Sequence, residues 1–341
     1  MPIVCLSRHY GNIQKRCEMA DFLSKPLPDP LFDQITIIGV GLIGSSLLRV
    51  ARQRNLARRL VACDASALVV DRVGELGIAD EVFGDCAQSV NGSDLIIICT
   101  PVGVISQVAA QIALAVKDGA IVSDVGSVKG TVVAGCQQLF RPGINFIPAH
   151  PVAGTEYSGP DAGFSSLFLD RWCIITPPDR ADENAVERLQ QFWAQAGSNV
   201  EIMTPSHHDL VLAITSHVPH LIAYNIVGTA ADLEEVTQSE VIKFSAGGFR
   251  DFTRIAASDP TMWRDIFLNN KDAVLEMLGR FTEDLSALQR MIRWGDGQGL
   301  FDLFTRTRAI RRSIIAQGQE TAAADFGRRV TETIPDKDQA Q

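Results

Sequence analysis

The stretch Ile35-Thr-Ile-Ile-Gly39-Val-Gly41-Leu42-Ile43-Gly44-Ser-Ser-Leu-Leu constrains this chain more than any other, because it joins an apolar strand to an amphipathic helix through three spaced glycines. Gly39 permits the tight turn out of the strand, Gly41 lets main chain approach a pyrophosphate, and Gly44 lets the helix lie against the sheet. Leu42 and Ile43 open a helix running to Arg54, whose positive end would face the phosphates. Asp64 stands twenty residues beyond Gly44, at the end of a second apolar segment, Arg59-Leu-Val-Ala-Cys63. The pattern implies a dinucleotide cradle. A carboxylate at Asp64 can accept hydrogen bonds from ribose hydroxyls and repels a 2′-phosphate, which favours NAD over NADP; it can equally cap the helix that follows.

Strand and helix patterns alternate from Ile35, with strands at 35–39, 59–63, 94–99, 120–123 and 144–147. Such alternation means a parallel sheet covered on both faces, a doubly wound α/β fold of Rossmann type. Two further strands, 172–177 and 199–203, flank a helix at 181–196 and are expected to finish that sheet. After Pro205 the strand signal vanishes and helical patterns run to about Phe326. The chain therefore divides into a leader (1–33, with Met19 as an alternative start), a nucleotide-binding domain (34–203), an all-α domain (204–328) and a polar tail (329–341). Amphipathic helices at about 261–280 and 282–316 carry apolar stripes broad enough for a dimer interface, so a homodimer is expected.

Composition narrows the partners. The 341 residues are 46% hydrophobic and 21% charged, enough apolar material for a large core. A net charge of −9 argues against a nucleic-acid surface, which draws its affinity from clustered Lys and Arg. Apolar runs such as Leu95-Ile-Ile-Ile-Cys99 have strand length rather than membrane-span length, so no membrane role is expected. Seven scattered cysteines without a C-x-x-C pair suggest neither a disulfide framework nor zinc, and fit a reducing cytoplasm.

Chemistry-bearing residues fall at strand ends. Thr100 follows the strand at 94–99, and Asp124-Val-Gly-Ser127-Val-Lys129 follows the strand at 120–123, so both turns should line a cleft at the carboxyl edge of the sheet. Ser127 opens a helix, either as its N-cap or as a hydroxyl that orients a nicotinamide or a base; Lys129 reads as a solvated helix residue. His150, between prolines and small residues with no helix to pack in, is either a positioned base or a hydrogen-bonded structural residue; an imidazole with pKa near about 6.5 suits the first role. His217 and His220, one turn apart across Pro219, either face the cleft or form a plain histidine pair. They lack a third ligand or an H-E-x-x-H pattern, so no metal is expected. Gly247 and Gly248 allow a bend that presents Arg250 and Arg254. Their guanidinium forks match carboxylates, unless both are spent in surface pairs with Asp251.

Taken in order, Gly39-x-Gly41-x-x-Gly44, Asp124-Val-Gly-Ser127-Val-Lys129, His150-Pro-Val-Ala-Gly154, Ser216-His-Val-Pro-His220 and Gly247-Gly-Phe-Arg-Asp-Phe-Thr-Arg254 with Met262-Trp-Arg-Asp-Ile resemble the prephenate/arogenate (cyclohexadienyl) dehydrogenases of tyrosine biosynthesis over about residues 34–320. The resemblance implies a Rossmann domain, a helical dimerisation domain, and NAD-dependent oxidative decarboxylation of a cyclohexadiene small-molecule substrate. It assigns His150 as the base for the ring hydroxyl, Ser127 as the residue orienting that base and the nicotinamide, and Arg254 as the grip on a substrate carboxylate. Arg250, His217 and His220 follow as further contacts. With no room for a regulatory domain after the helices, any feedback control is expected at the active site. Two rivals stand beside it: another dehydrogenase of similar plan, of 3-hydroxyacid or imine-reductase type, and a regulatory protein that senses NAD without turnover.

Overall fold

A computed structural model describes residues 29–155, 157–237 and 247–316; the leader before residue 29, the Met19 start and the tail lie outside them. β1 (Phe32–Ile38) runs into α1 (Leu42–Gln53), followed by β2 (Ala57–Cys63), α2 (Ala67–Leu76), β3 (Glu81–Phe83), α3 (Cys86–Ser89), β4 (Leu95–Ile98), α4 (Ile105–Ile112), β5 (Ile121–Asp124), α5 (Gly130–Cys136) and β6 (Asn145–Phe146). These strands form one parallel sheet in the order β3-β2-β1-β4-β5-β6. The order reverses beside β1, between β1 and β4, and that switch point is where an open α/β sheet takes its ligand. The sheet is dry on both faces: Ile35, Ile37 and Leu47 pack on one side, Ile96, Ile98 and Ile112 on the other. Continuous apolar strands give this two-sided burial, as parallel sheets require.

The later strands depart from the expectation. β7 (Ala149–Pro151), β8 (Trp172–Ile175) and β9 (Asn199–Ile202) make a separate three-stranded sheet, with β7 antiparallel to β8, and do not extend the first. α6 (Glu183–Gln195) joins β8 to β9 and buries Leu189, Phe192 and Trp193 in the core shared with β1. The chain turns at Pro148 between Phe146 and Ala149, so the strand expected at 144–147 ends early and His150 lands on the second sheet.

Beyond Thr204 the described chain is helical: α7 (Pro205–Leu212), a single π turn (Ala213–His217), α8 (Val218–Thr237), α9 (Gly247–Thr253), α10 (Pro260–Asn269), α11 (Lys271–Trp294) and α12 (Gly297–Ala316). The break expected near 281 falls instead at Asn270 and at Gly295, which takes a left-handed φ of 67° that glycine adopts without strain. By length and composition alone the run Pro205–Leu233 would pass for a membrane span. It instead carries buried His208 and Asp209 against the α/β half and buried His217 against Asn270 and Trp263, so its inner face meets protein.

Candidate active site

The glycine turn is built as its spacing requires. Gly39 has φ 91°, and a Cβ there would lie 2.9 Å from the Cys99 carbonyl; a Cβ on Gly44 would lie 2.1 Å from the Gly39 oxygen. Around Gly41 a Cβ would meet nothing within 4 Å, which leaves space for a phosphate against bare main chain. No side chain caps α1, so the amides of Leu42 and Ile43 begin a helix whose positive end is uncovered. The Asp64 carboxylate accepts from Val40 N–H (2.8 Å) and Ser66 N–H (2.9 Å), which ties the turn to the end of β2 and serves the start of α2. Each oxygen keeps acceptor capacity for hydroxyls. At the end of β4 the Thr100 hydroxyl is buried without a hydrogen-bond partner, facing the same edge of the sheet. Bare glycines, open amides, a carboxylate at the second strand and an orphaned hydroxyl at the fourth fit a dinucleotide.

The turn after β5 corrects two expectations. Ser127 does not open a helix: α5 starts at Gly130, and Ser127 lies half-buried in the preceding turn. Lys129 is not solvated at all. It is 0% exposed, and its Nζ donates to Asp124 Oδ2 and to the Ala149 carbonyl (2.7 Å). Burial pushes the Lys129 ammonium down and the Asp124 carboxyl up, while their contact opposes both moves. The pair clamps β5 to β7, one residue before His150.

His150 does pack against a helix. Its Nδ1 lies 2.8 Å from His208 Nε2 on α7, and His208 Nδ1 lies 2.8 Å from Asp209 Oδ1. Asp209 in turn accepts from the amides of Lys129 (2.8 Å) and Gly130 (2.7 Å), so the helical half caps α5. The sequence assigns no role to His208 or Asp209; their signal is that 207–220 holds four of the six histidines of the chain. Burial, then the charges of His208, Lys129 and His217, hold the His150 imidazole well below its ordinary value. It is therefore neutral at pH 7, the form a proton acceptor needs.

A row of rings continues from this point. His217 lies 6.1 Å from the ring of Trp263, and His220 stacks on Trp263 at 3.7 Å and 24°. Burial lowers His217 to about 4. Asn270 Nδ2 must donate to the Asp209 carbonyl (2.9 Å), and its second hydrogen points at His217 Nδ1 (3.1 Å). His217 Nε2 then carries the ring hydrogen, buried and unpartnered, as is Trp263 Nε1. Two orphaned N–H donors in one ring cluster call for a ligand rich in acceptors, such as a carboxylate. Arg254, exposed in the turn Arg254–Ala257, is near enough to His220 for its charge to add to the burial that lowers that imidazole. Arg250, on the exposed helix α9 that begins at Gly247, pairs with Asp251 at 3.3 Å. The structure thus gathers His150, His217 and His220 with Trp263, places Arg254 at the rim and spends Arg250 on its neighbour. Among the described residues no cluster of metal-ligating side chains occurs.

Known proteins share this plan. Residues 48–202 match the family model described as prephenate dehydrogenase, nucleotide-binding domain, and residues 204–306 match prephenate dehydrogenase, dimerization domain. The chain is 39% identical over 284 residues to the cyclohexadienyl dehydrogenase of Zymomonas mobilis, covering 83% of this chain and 97% of that one. It is 31% identical over 280 residues to the prephenate dehydrogenase of Bacillus subtilis, covering 82% and 75%. The crystal structure of prephenate dehydrogenase from A. aeolicus in complex with hydroxyphenyl propionate and NAD+ superposes with a TM-score of 0.78 at 30% identity, over 85% of this chain and 100% of that one. A glycine cradle joined to a buried histidine and a ring-lined helical wall, matched across both halves at these identities, makes this chain a member of the prephenate dehydrogenase family.

Proposed function

We propose that the protein catalyses NAD-dependent oxidative decarboxylation of prephenate, arogenate or both, to 4-hydroxyphenylpyruvate or tyrosine, as a homodimer in the cytoplasm. The observation that carries this reading is the buried, neutral His150, near His217 of the ring cluster with His220 and Trp263, on a strand that Lys129 clamps to the carboxyl end of β5 in the sheet with the glycine cradle. Its free thiols, Cys63, Cys86, Cys99, Cys136 and Cys173, suit a reducing compartment.

In this reading the amides around Gly41, Leu42, Ile43 and Gly44 hold the pyrophosphate and Asp64 holds the ribose, with Thr100 and Ser127 toward the nicotinamide. Bound NAD supplies the acceptor for the hydride. His150 takes the proton of the ring hydroxyl as that carbon is oxidised, and the ring carboxylate then leaves as carbon dioxide with formation of the aromatic ring. Arg254 grips a carboxylate of the substrate, Arg250 joins it on release from its exposed pair with Asp251, and the neutral N–H of His217 donates with His220 beside it. Gripping the substrate at its rim and at its hydroxyl fixes the ring over the cofactor, where orientation supplies much of the rate. The working division is a nucleotide-binding unit over 34–203 and a substrate and dimerisation unit over 204–328. Purified protein with NAD, offered prephenate and arogenate and followed at the absorbance of the reduced cofactor, tests the proposal. Turnover of at least one is expected; turnover of 3-hydroxy acids alone would overturn it.

A further inference from the structure

We propose that His208 and Asp209 are positioning residues that lock His150 in one tautomer, with the proton on Nδ1 and the bare lone pair on Nε2. The inference deepens the proposed function, on whose assignment of His150 as the base it rests.

The donors and acceptors leave one assignment. The amides of Lys129 and Gly130 can only donate, and they fall on both oxygens of Asp209, so Asp209 is an acceptor throughout. His208 Nδ1, 2.8 Å from Oδ1, must then be the donor. His208 is fully buried and faces the Lys129 ammonium as well as Asp209 and Asp124; burial holds it below its ordinary value, so its ring stays neutral and its Nε2 carries a lone pair. That lone pair lies 2.8 Å from His150 Nδ1 and takes the hydrogen there. His150 is left with Nε2 free of hydrogen, the only ring atom able to receive a proton.

Three consequences distinguish this from ordinary packing. When a proton arrives at Nε2, the positive charge on His150 is shared along Nδ1–H to His208 and faces the Asp209 carboxylate at the far end. This matters because burial and the nearby Lys129 ammonium disfavour an isolated imidazolium at His150. The backbone of His150 is pinned by its pairing with Ile174, so the relay governs the ring rather than the strand. The relay also spans the two halves: the base sits on β7 and its orienting groups on α7, so tautomer control depends on the helical half being docked.

The test reads the tautomer directly. In the intact wild-type protein labelled with 15N, two-bond ring correlations should report His150 as the Nδ1–H form; an Nε2–H form would overturn the proposal without any variant. His208→Leu should lower kcat on the order of a hundredfold, within the usual worth of a correctly protonated acid or base, with KM and NAD affinity nearly unchanged. His208→Gln, whose amide oxygen can stand where Nε2 stood and accept from Nδ1–H, should return kcat to within about tenfold of wild type. Asp209→Asn should move His150 toward the Nε2–H form and lower kcat with it. Equal kcat for the Leu and Gln variants with an unmoved His150 tautomer would overturn the relay. The outcomes separate the two proposals: a protein inactive on both substrates but Nδ1–H at His150 sinks the activity alone, and an active protein with the wrong tautomer sinks the relay alone.

Discussion

The two halves of the molecule are buried to very different degrees. In the α/β half, Ile35, Leu95, Ile97 and Ile121 at the sheet centre are wholly buried, and the packed core takes in Phe168, Phe192 and Trp193 as well. In the helical half the main described cluster has four buried residues, Ala213, Val218, Val274 and Met277. Large apolar side chains on α11 and α12 meet solvent instead: Trp294 is 75% exposed, Ile292 68% and Phe301 66%. At about 25 cal/mol per Å² of apolar surface removed from water, such a face gains far more from a second copy than from this chain. The nucleotide half is a self-sufficient body and the helical half is half of a body. The proposed base lies at their seam, where Asp209 caps α5 and His208 meets His150.

Substitutions can break this comparison in order of expected effect. His150→Asn, at the seam, should lower kcat by about a thousandfold, the worth of a well-placed base, while NAD affinity measured by calorimetry stays near wild type. Equal losses in both would place His150 in the cofactor site alone. Gly44→Ala, inside the self-sufficient half, sets a Cβ 2.1 Å from the Gly39 oxygen. Overpacking of about 1–3 kcal/mol should weaken NAD binding roughly ten- to hundredfold, with the dimer intact in sedimentation. Arg254→Gln, at the rim, should raise KM roughly tenfold, as loss of a charge-assisted hydrogen bond predicts; an unchanged KM would remove Arg254 from the substrate. Leu285→Asp with Ile292→Asp, on the exposed face of α11, should yield monomers that still bind NAD. Dimers that persist would show that another face pairs.

Acid acts on the stability of the fold and not on one half alone. His217 is held at about 4 when folded, against about 6.5 unfolded. The unfolded chain therefore binds the extra proton, stability is complete above about 6.5, and it falls as pH drops toward 4 by up to about 1.4 kcal/mol per pH unit for that group. Thermal melting between pH 7 and 4.5 checks this, and His217→Asn should flatten the dependence.

The sequence disclosed the parts of the molecule that rest on local rules. Three glycines at fixed offsets and the apolar runs of β1, β2, β4 and β5 specify a strand, a turn and a helix without knowledge of the rest. β3 was hidden because Glu81, Val82 and Phe83 are too few to show a period. The second sheet was hidden because the partner of Ala149–Pro151 lies more than twenty residues on, at Trp172–Ile175, and a wholly buried strand of three residues shows no alternation. Lys129 read as solvated because the groups that close over it, the Ala149 carbonyl and Asp209 on α7, lie far along the chain from it. His150, His217 and Arg254 stood out by residue type in an acidic chain with six histidines. His208 and Asp209 did not, since their role exists only once α7 docks against α5 and β7.

The central claim is that one ring-sized ligand is held at once by the base on the sheet side and by the cation on the helical side. A crystal structure of the dimer with NAD and a hydroxyphenyl carboxylate measures it directly. The account predicts the phenolic oxygen within about 3 Å of His150 Nε2 and the carboxylate on the Arg254 guanidinium; a ligand that touches one of these groups while the other stands beyond its reach would contradict it.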